Sequence, residues 1–543
     1  MSSSILIVIP ARGGSKGIPR KNLRLLGGKP LIYYSIKTAL ASKFSPDVYV
    51  SSEDEEILNI ALQFGTKIHK RDLSIADDKS TLDPVVFACY QHAKKITNKN
   101  YDYIITMQPT SPLLKTKSLD RAIEQMLNNK DIETIIAAKE STQLSWRKIN
   151  NKFIPNYEKR VNRQYLTPTY SETGAFLITK KEIITSNSRV GKSVELSILY
   201  GGEGIDVDTY EDWNLCEYYL KRKHILFVVT GNNTVGLGHV YNALLLANDI
   251  LNHQISFLVD KNSFLAFKKI SSKNYSVFMQ KNEDILEDIK KINPSVVIND
   301  ILDTSAEYIK KLKHLGFTVI NFEDLGGGAK YADLVINAIY PEQQILKNHY
   351  FGQDYFVLRD EFIYQKQKKI EKVVKNILVT FGGVDPNNYT KKVIESIYLY
   401  CLNKNIKITV VAGFGYDKFE TLERFKGISI KKNVQNISNY MLQADIVFTS
   451  AGRTIYEIAS LGVPAIVMAQ NDREMSHFFA NIKYGFLNLG LGHKISLEDI
   501  LLNFKNLVIS YETRDFMSKL MKKYDLKHGR KTVIKLLKEA IEG

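Results

Sequence analysis

A chain of 543 residues is too long for one hydrophobic core, so two or three domains are expected. Hydrophobic residues at 44% and charged ones at 24% are ordinary for a globular protein; the longest apolar runs, such as "HILFVVT" from His224 and "ADIVFTS" from Ala444, are strand-length and far short of a membrane span. The formal charge of +16 comes from lysines scattered along the chain without a basic tail or an aromatic-rich RNA-binding signature, so it reads as a lysine-rich surface that would also suit small anionic ligands, with neither a nucleic acid nor, given the short apolar runs, a membrane expected as partner.

The first apolar stretch has no basic segment before it and runs straight into a glycine loop, so it reads as a first strand and not as a signal peptide. Cys89, Cys216 and Cys401 are widely spaced, which excludes a disulfide framework or a cysteine zinc cluster and predicts a reducing, cytoplasmic location. Along the chain, "SILIVIP", "LIYYSIKTAL", "VYVSS" and "EEILNIALQFG" alternate strand and helix patterns, with "YDYIITMQP" and "ETIIAAKE" further on. Such alternation predicts an α/β fold with a mostly parallel sheet. The pattern restarts at His224 with "HILFVVTGNNTVGLGHVYNALLLANDILN" and again at Lys375 with "KNILVTFGGVDP". Three units are therefore expected, at 1–222, 223–368 and 369–543.

In "IVIPARGGSKGIPRKN", residues 7 to 22, Gly13, Gly14 and Gly17 let backbone N–H groups turn toward an anion while Arg12, Lys16, Arg20 and Lys21 surround it with charge. The loop lacks the Gly-Lys-Ser/Thr ending of a P-loop and the dinucleotide G-x-G-x-x-G spacing. It is followed in order by "LGGKPLI" (26 to 32), "VSSEDEEI" (50 to 57), "QPTSPL" (108 to 113) and "IDVDTYEDW" (205 to 213).

This ordered series resembles the acylneuraminate cytidylyltransferases, over essentially Ser4 to Lys221. The resemblance implies a nucleotidyltransferase fold, Rossmann-like and of GT-A type. It also implies transfer of CMP from CTP to the anomeric hydroxyl of a sialic-acid-like nonulosonate, with release of pyrophosphate. By motif, Arg12, Ser15, Lys16, Lys21 and Asn22 would hold the triphosphate and cytidine, with Arg12 and Lys21 acting in catalysis, and Arg71 with Ser80 or Thr81 would help on the nucleotide side. Gln108 would contact the sugar, with Arg163 and Gln164 in "NRQYLTP" at its carboxylate end. Asp206 and Asp208 alternate along an extended segment and share a face, a geometry for gripping Mg²⁺. Dimers are usual among the resembled enzymes. Thr173 in "ETGAF" departs from their usual asparagine.

The second half pairs "TVGLGHVYNALLLA", with His239 at a helix start, and "ADIVFTSAGRTIYEIASLGVPAIV". The pair resembles GT-B-type nucleotide-sugar enzymes, which carry two Rossmann-type units. By that likeness Gly236, Gly238, Gly452, Arg453 and Thr454 would line the donor site and Glu457 would bind the ribose. "VVIND", "VINFEDLG", "ADLVINAIY", "DYFVLRDEF" and "FGGVDPNN" extend the resemblance to the UDP-sugar hydrolase of pseudaminic acid biosynthesis. It implies release of UDP from a diacetamido-trideoxyhexose with His239 as base; at a helix N-terminus the dipole disfavours imidazolium. Two residues depart from that pattern. Asn242 stands where the hydrolases usually carry arginine, and Arg453 where a glycine is common. A glycosyltransferase or a non-catalytic nucleotide-sugar sensor are the alternatives. The joint reading is a bifunctional enzyme for pseudaminic- or legionaminic-type sugars.

Overall fold

The computed structural model describes residues 3–15, 17–75, 81–341, 346–432 and 434–542. It divides into two compact units, Met1–Arg222 and Lys223–Gly543.

The first unit is built on a seven-stranded sheet. Its order is Val194–Ile198, Thr134–Glu140, Tyr170–Lys180, Tyr103–Met107, Ile5–Pro10, Asp47–Ser52 and Lys67–Lys70. Tyr170–Lys180 runs antiparallel to both neighbours, and the other pairings are parallel. Ile5–Pro10 lies between two paired strands, Val8 opposite Tyr49 and Thr106, and every one of its residues is buried. Ile5, Ile7 and Ile9 enter the core on one face while Leu6 and Val8 enter the core on the other. That is why this strand reads as an unbroken apolar run instead of an alternation. Truncating Ile7 to alanine would cost about 2–5 kcal/mol. Helix Glu55–Gln63 begins where Asp54 accepts from the N–H groups of Glu56 and Ile57, and Tyr210–Lys221 begins at a capping box of Thr209 and Asp212. A hairpin of Trp146–Ile149 and Lys152–Pro155 forms its own two-stranded sheet with exposed Trp146, Phe153 and Ile154.

The second unit carries two all-parallel sheets. The first has the order Ser276–Met279, Gln254–Val259, His224–Val229, Val296–Asp300, Thr318–Phe322, Leu334–Asn337, His349–Phe351. The second runs Ser429–Lys432, Lys407–Ala412, Asn376–Val379, Ile446–Thr449, Ala465–Ala469, Phe486–Leu491. Each is therefore a Rossmann-type sheet in which the order of strand addition reverses between its first strand and the neighbour on the other side. Those switch points lie between His224–Val229 and Val296–Asp300, and between Asn376–Val379 and Ile446–Thr449. In open parallel sheets ligands bind beyond the carboxyl ends of such strands.

The expected unit 369–543 does not keep its last helix. Gly529–Glu542 sends Val533, Leu537 and Ile541 into the core formed by Ile225, Phe227 and Val229 of the first sheet. Arg530 ties it there, its Nε 2.6 Å and Nη2 2.5 Å from the Asp249 carboxylate and its Nη1 2.6 Å from Asp360. An amphipathic helix at the end of a chain goes where an apolar face is open, and nothing local in its sequence names that face.

Candidate functional site

In the first unit, strand Ile5–Pro10 opens into a loop that closes on the short turn Lys21–Leu23. Two of its glycines are required by close approach. A Cβ on Gly13 would lie 2.4 Å from an Asp54 carboxylate oxygen, and one on Gly17 would lie 2.4 Å from the Asp208 carbonyl oxygen. The loop is thus pressed between the start of helix Glu55–Gln63 and the acidic segment at 205–208. Asn22 braces it by donating to the Arg12 carbonyl at 2.9 Å, and Arg12 and Ser15 lie part-buried along it. Lys21 reaches across, its Nζ 2.7 Å from the Val207 carbonyl and 3.0 Å from the Asp208 carboxylate.

The acidic segment is fastened by the Val207 N–H, which donates to the Thr110 carbonyl at 2.8 Å. Asp208 is exposed. Asp206 is part-buried, its Oδ1 and the nearby Thr110 hydroxyl make no formed hydrogen bond, and burial, opposed by Thr110 and Lys21 and reinforced by the Asp208 charge, raises its pKa above the usual carboxylate value. A buried, unpartnered carboxylate oxygen beside a second carboxylate is a donor set suited to a hard divalent cation. Among the described residues no three His, Cys, Asp or Glu side chains gather for a metal. A cation here would therefore take its remaining ligands from phosphate oxygens and water.

Arg71 is drawn inward onto Glu53, with Nε and Nη2 at 2.8 and 2.5 Å from Oε2, while Glu53 Oε1 accepts the Gly13 N–H at 2.7 Å. Glu53 therefore links Arg71 to the cradle, a role the motif "VSSEDEEI" contains but does not single out. Thr81 is exposed at the start of helix Leu82–Thr97. Lys16 and Ser80 lie outside the described residues. Gln108 follows strand Tyr103–Met107, and its amide lies against Gly174, where Tyr170–Lys180 shifts register on Thr134–Glu140. Thr173 is buried, its hydroxyl donating to the Ala137 carbonyl at 3.2 Å, so this departure is packed into the sheet. Arg163 and Gln164 sit on an exposed turn after the hairpin.

In the second unit a cleft runs along both switch points, lined by Gly236, Gly238 and His239 from one half and by Gly452, Arg453, Thr454 and Glu457 from the other. His239 is the second residue of helix Gly238–Asp249. Its Nδ1 lies 2.5 Å from Oδ1 of Asp300, which is buried at the carboxyl end of strand Val296–Asp300. A carboxylate accepts only, so Nδ1 carries a proton, and in the neutral ring Nε2 then holds the free lone pair. The other Asp300 oxygen accepts from Asn242 Nδ2 at 2.7 Å, and Asn242 Oδ1 accepts from Arg453 Nη2 at 2.8 Å. The two departures, Asn242 and Arg453, are thus bonded to each other. Arg453 also lies over the Phe356 ring, its guanidinium carbon 4.8 Å from the centroid, with Nη1 3.4 Å from buried Glu323.

Burial, partly opposed by the Arg453 charge, pushes the Glu323 carboxyl up to about 7. Burial does the same to Glu474, up to about 7, although it accepts the N–H groups of Gln470 at 2.8 Å and Ala451 at 3.2 Å. Glu457 accepts from Arg359 Nε at 2.7 Å. Asp300, Glu323, Arg359 and Glu474 are functional candidates that the motif reading passes over. For Asp300 a signal exists: it is a carboxylate ending an apolar strand, where parallel sheets place ligands. The neighbouring buried network, in which Asp324 accepts from Asn321 and Thr304 at 2.6 Å, holds the turn that carries Glu323.

Residues 6–188 match the family described as Cytidylyltransferase. An uncharacterised protein of Methanocaldococcus jannaschii is 33% identical over 270 residues, 46% of this chain and 56% of that protein, so the chain spans about half that relative's length. A Helicobacter pylori protein is 23% identical over 528 residues, covering 93% of this chain and 94% of that one. It is named pseudaminic acid cytidylyltransferase and UDP-2,4-diacetamido-2,4,6-trideoxy-beta-L-altropyranose hydrolase. The pseudaminic acid cytidylyltransferase of Campylobacter jejuni is 35% identical over 230 residues, 40% of this chain and 97% of that enzyme. Because that enzyme is matched over almost its whole length, and the family match falls on the unit that carries the glycine cradle, the chain belongs to the cytidylyltransferase family.

Proposed function

We propose that the chain is a bifunctional enzyme of nonulosonate biosynthesis, acting in the cytoplasm. Its first unit transfers CMP from CTP to a sugar of the pseudaminic or legionaminic type, and its second releases UDP from a diacetamido-trideoxyhexose by hydrolysis. The relative matched over 93% of this chain supports the pairing of activities.

In the first reaction the anomeric oxygen attacks the α-phosphorus, the bond to the β-phosphate breaks and pyrophosphate leaves, while the hydroxyl proton passes to solvent. Little covalent help is needed, so positioning and charge neutralisation carry the rate. The cradle N–H groups, Arg12 and Lys21 would meet the triphosphate, and Gln108 the sugar. Asp206 and Asp208 would hold Mg²⁺, which supplies Lewis-acid neutralisation at the reacting phosphate. The orphaned Asp206 oxygen fits that role.

The observation that carries the second reaction is the His239–Asp300 pair opening on the cleft. Nε2 takes a proton from water, the water oxygen attacks the anomeric carbon, and UDP leaves with the bonding electrons. The imidazolium so formed faces a buried carboxylate, the arrangement that orients and supports a histidine base in hydrolytic triads. The N–H groups around Gly452, Arg453 and Thr454, at the start of helix Thr454–Leu461, suit the diphosphate. Glu457, held by Arg359, suits the ribose. The exposed apolar hairpin supports a dimer.

The test supplies the full chain with CTP, Mg²⁺ and a panel of nonulosonates, and separately with UDP-sugars and no acceptor. Products are read by mass. Asp208→Ala should abolish CMP-sugar formation and spare UDP release, and His239→Ala should do the reverse. UDP release that requires a sugar acceptor would instead make the second unit a glycosyltransferase.

A further inference from the structure

Arg453 holds the two halves of the cleft together through groups that are poor anchors for a guanidinium. One nitrogen meets a neutral amide oxygen, that of Asn242, and the other meets Glu323 at 3.4 Å, too long for a formed bidentate pair. The Glu323 carboxylate is loosely held. The residue is 2% exposed, its carboxylate accepts the N–H groups of Ala338 and Ile339 at 3.4 and 3.3 Å, and its backbone sits at φ 52°, a left-handed conformation that is costly for this residue type. A buried carboxylate with long contacts and a strained backbone is a counter-ion kept in place by its surroundings. Arg453 meanwhile immediately precedes helix Thr454–Leu461, and Gly452, Arg453 and Thr454 at that helix start line the same cleft, so a diphosphate seated there would adjoin the guanidinium.

We propose that Arg453 is the leaving-group cation of this cleft and Glu323 its resident counter-ion, exchanged for the diphosphate on nucleotide binding, with Glu323 taking up a proton as the exchange occurs. This rests on the reading of the cleft as a nucleotide-sugar site. The balance is simple. Arg453 turns its charge to the β-phosphate, Glu323 loses that cationic partner across the cleft, and a solvent proton neutralises the buried carboxylate. The other groups facing Glu323 favour the same outcome or are unchanged by it. Asp300 opposes a second buried negative charge, while His239 is balanced by its own bond to Asp300. Tyr340 and Tyr456 are neutral phenols. Arg473 donates to the Glu323 carbonyl at 2.7 Å and lies over the Tyr340 ring, and Asp324 is saturated by Asn321, Thr304 and Gly326. The raised Glu323 pKa is consistent with a group poised for this exchange.

The experiment titrates the full chain with UDP by calorimetry at pH 6 and pH 8, at each pH in two buffers of different ionisation enthalpy, for wild type, Glu323→Gln and Arg453→Ala. Gln keeps the shape and an acceptor oxygen but removes the competing charge. At pH 8, where the wild-type carboxyl is largely ionised, Glu323→Gln should bind UDP several-fold more tightly. At pH 6, where it is largely protonated, the two should converge. Proton uptake on binding at pH 8 should be larger in wild type, because the contribution from UDP itself is common to both proteins. Arg453→Ala should weaken UDP at least tenfold. Equal proton uptake in wild type and Glu323→Gln, or weaker binding by Glu323→Gln at pH 8, would overturn the exchange. Absence of UDP binding by wild type would overturn the nucleotide-sugar reading itself.

Discussion

Asp300→Asn is the substitution that most directly probes the second reaction. Asp300 is 1% exposed and has both oxygens engaged, one on His239 Nδ1 at 2.5 Å and one on the Asn242 amide at 2.7 Å. Asparagine fits the same space but has one acceptor and one donor. The Asn242 Nδ2 donates, so the new oxygen is held facing it and the new NH₂ faces His239. Nδ1 must then accept, which moves the ring proton to Nε2 and removes the lone pair that faces the cleft. The same tautomer error in a hydrolytic triad lowers turnover about 10⁴-fold, which corresponds to about 5.4 kcal/mol of transition-state stabilisation. Acceptor-independent UDP release should fall by that factor. UDP affinity should stay within a few-fold, because the donor-site groups around Gly452 and Glu457 are untouched. CMP-sugar synthesis by the same preparation is the control for folding. Asp300→Asn combined with His239→Ala should be no worse than His239→Ala alone, since both remove one device. A variant that keeps a tenth or more of wild-type UDP release would refute Asp300 as the orienting group.

Gly17→Ala should lose most CTP turnover while sparing UDP release, because its Cβ would lie 2.4 Å from the Asp208 carbonyl and must displace the acidic segment; parallel product assays on the two reactions check this. Glu474 carries a sign that can be tested through stability. Its folded pKa of about 7 lies above its ordinary 4.5, so between those values the native state binds more protons and stability falls as pH rises, levelling off above about 7. The melting temperature of Glu474→Gln relative to wild type should therefore climb from pH 5 to pH 8, and a pH-independent difference would contradict the burial argument. A chain ending at Arg222 should fold and keep CMP-sugar synthesis, since residues 1–222 form a compact unit; an aggregated or inactive fragment in chromatography and mass assay would count against it.

What the sequence makes legible is local. The strand, glycine loop and helix frames at residues 4–40 and 224–249 announce themselves through apolar periodicity and through glycines placed between the two periods, and the structure has strands Ile5–Pro10 and His224–Val229 with helices Leu31–Leu40 and Gly238–Asp249 there. What stays hidden is set by sheet order. Asp300 lies 61 residues from His239 and reaches it because Val296–Asp300 pairs directly with His224–Val229 across the switch point. Glu53 is hidden differently: within a run of acids, no periodicity distinguishes the carboxylate that turns inward to Arg71 from those that cap or face solvent. The return of the terminal helix to the first sheet is likewise a matter of which apolar face is left open.

Asn242 and Arg453 show why reading positions singly misleads. Taken alone, a short amide in place of an arginine removes a charge beside His239, and an arginine in place of a glycine crowds a loop expected to approach a phosphate. Residue 242 lies one turn after His239 on the same helix face, so both meet Asp300. Residue 453 lies 211 positions away, on the facing half, and its guanidinium closes on the Asn242 amide at 2.8 Å. The cleft therefore has a guanidinium near the His239–Asp300 pair, delivered from the opposite wall. A cation borne by the half that carries Gly452 and Glu457 is also placed where the proposed diphosphate would sit. The charge next to His239 then depends on how both halves meet, a coupling that an arginine on the His239 helix would not create.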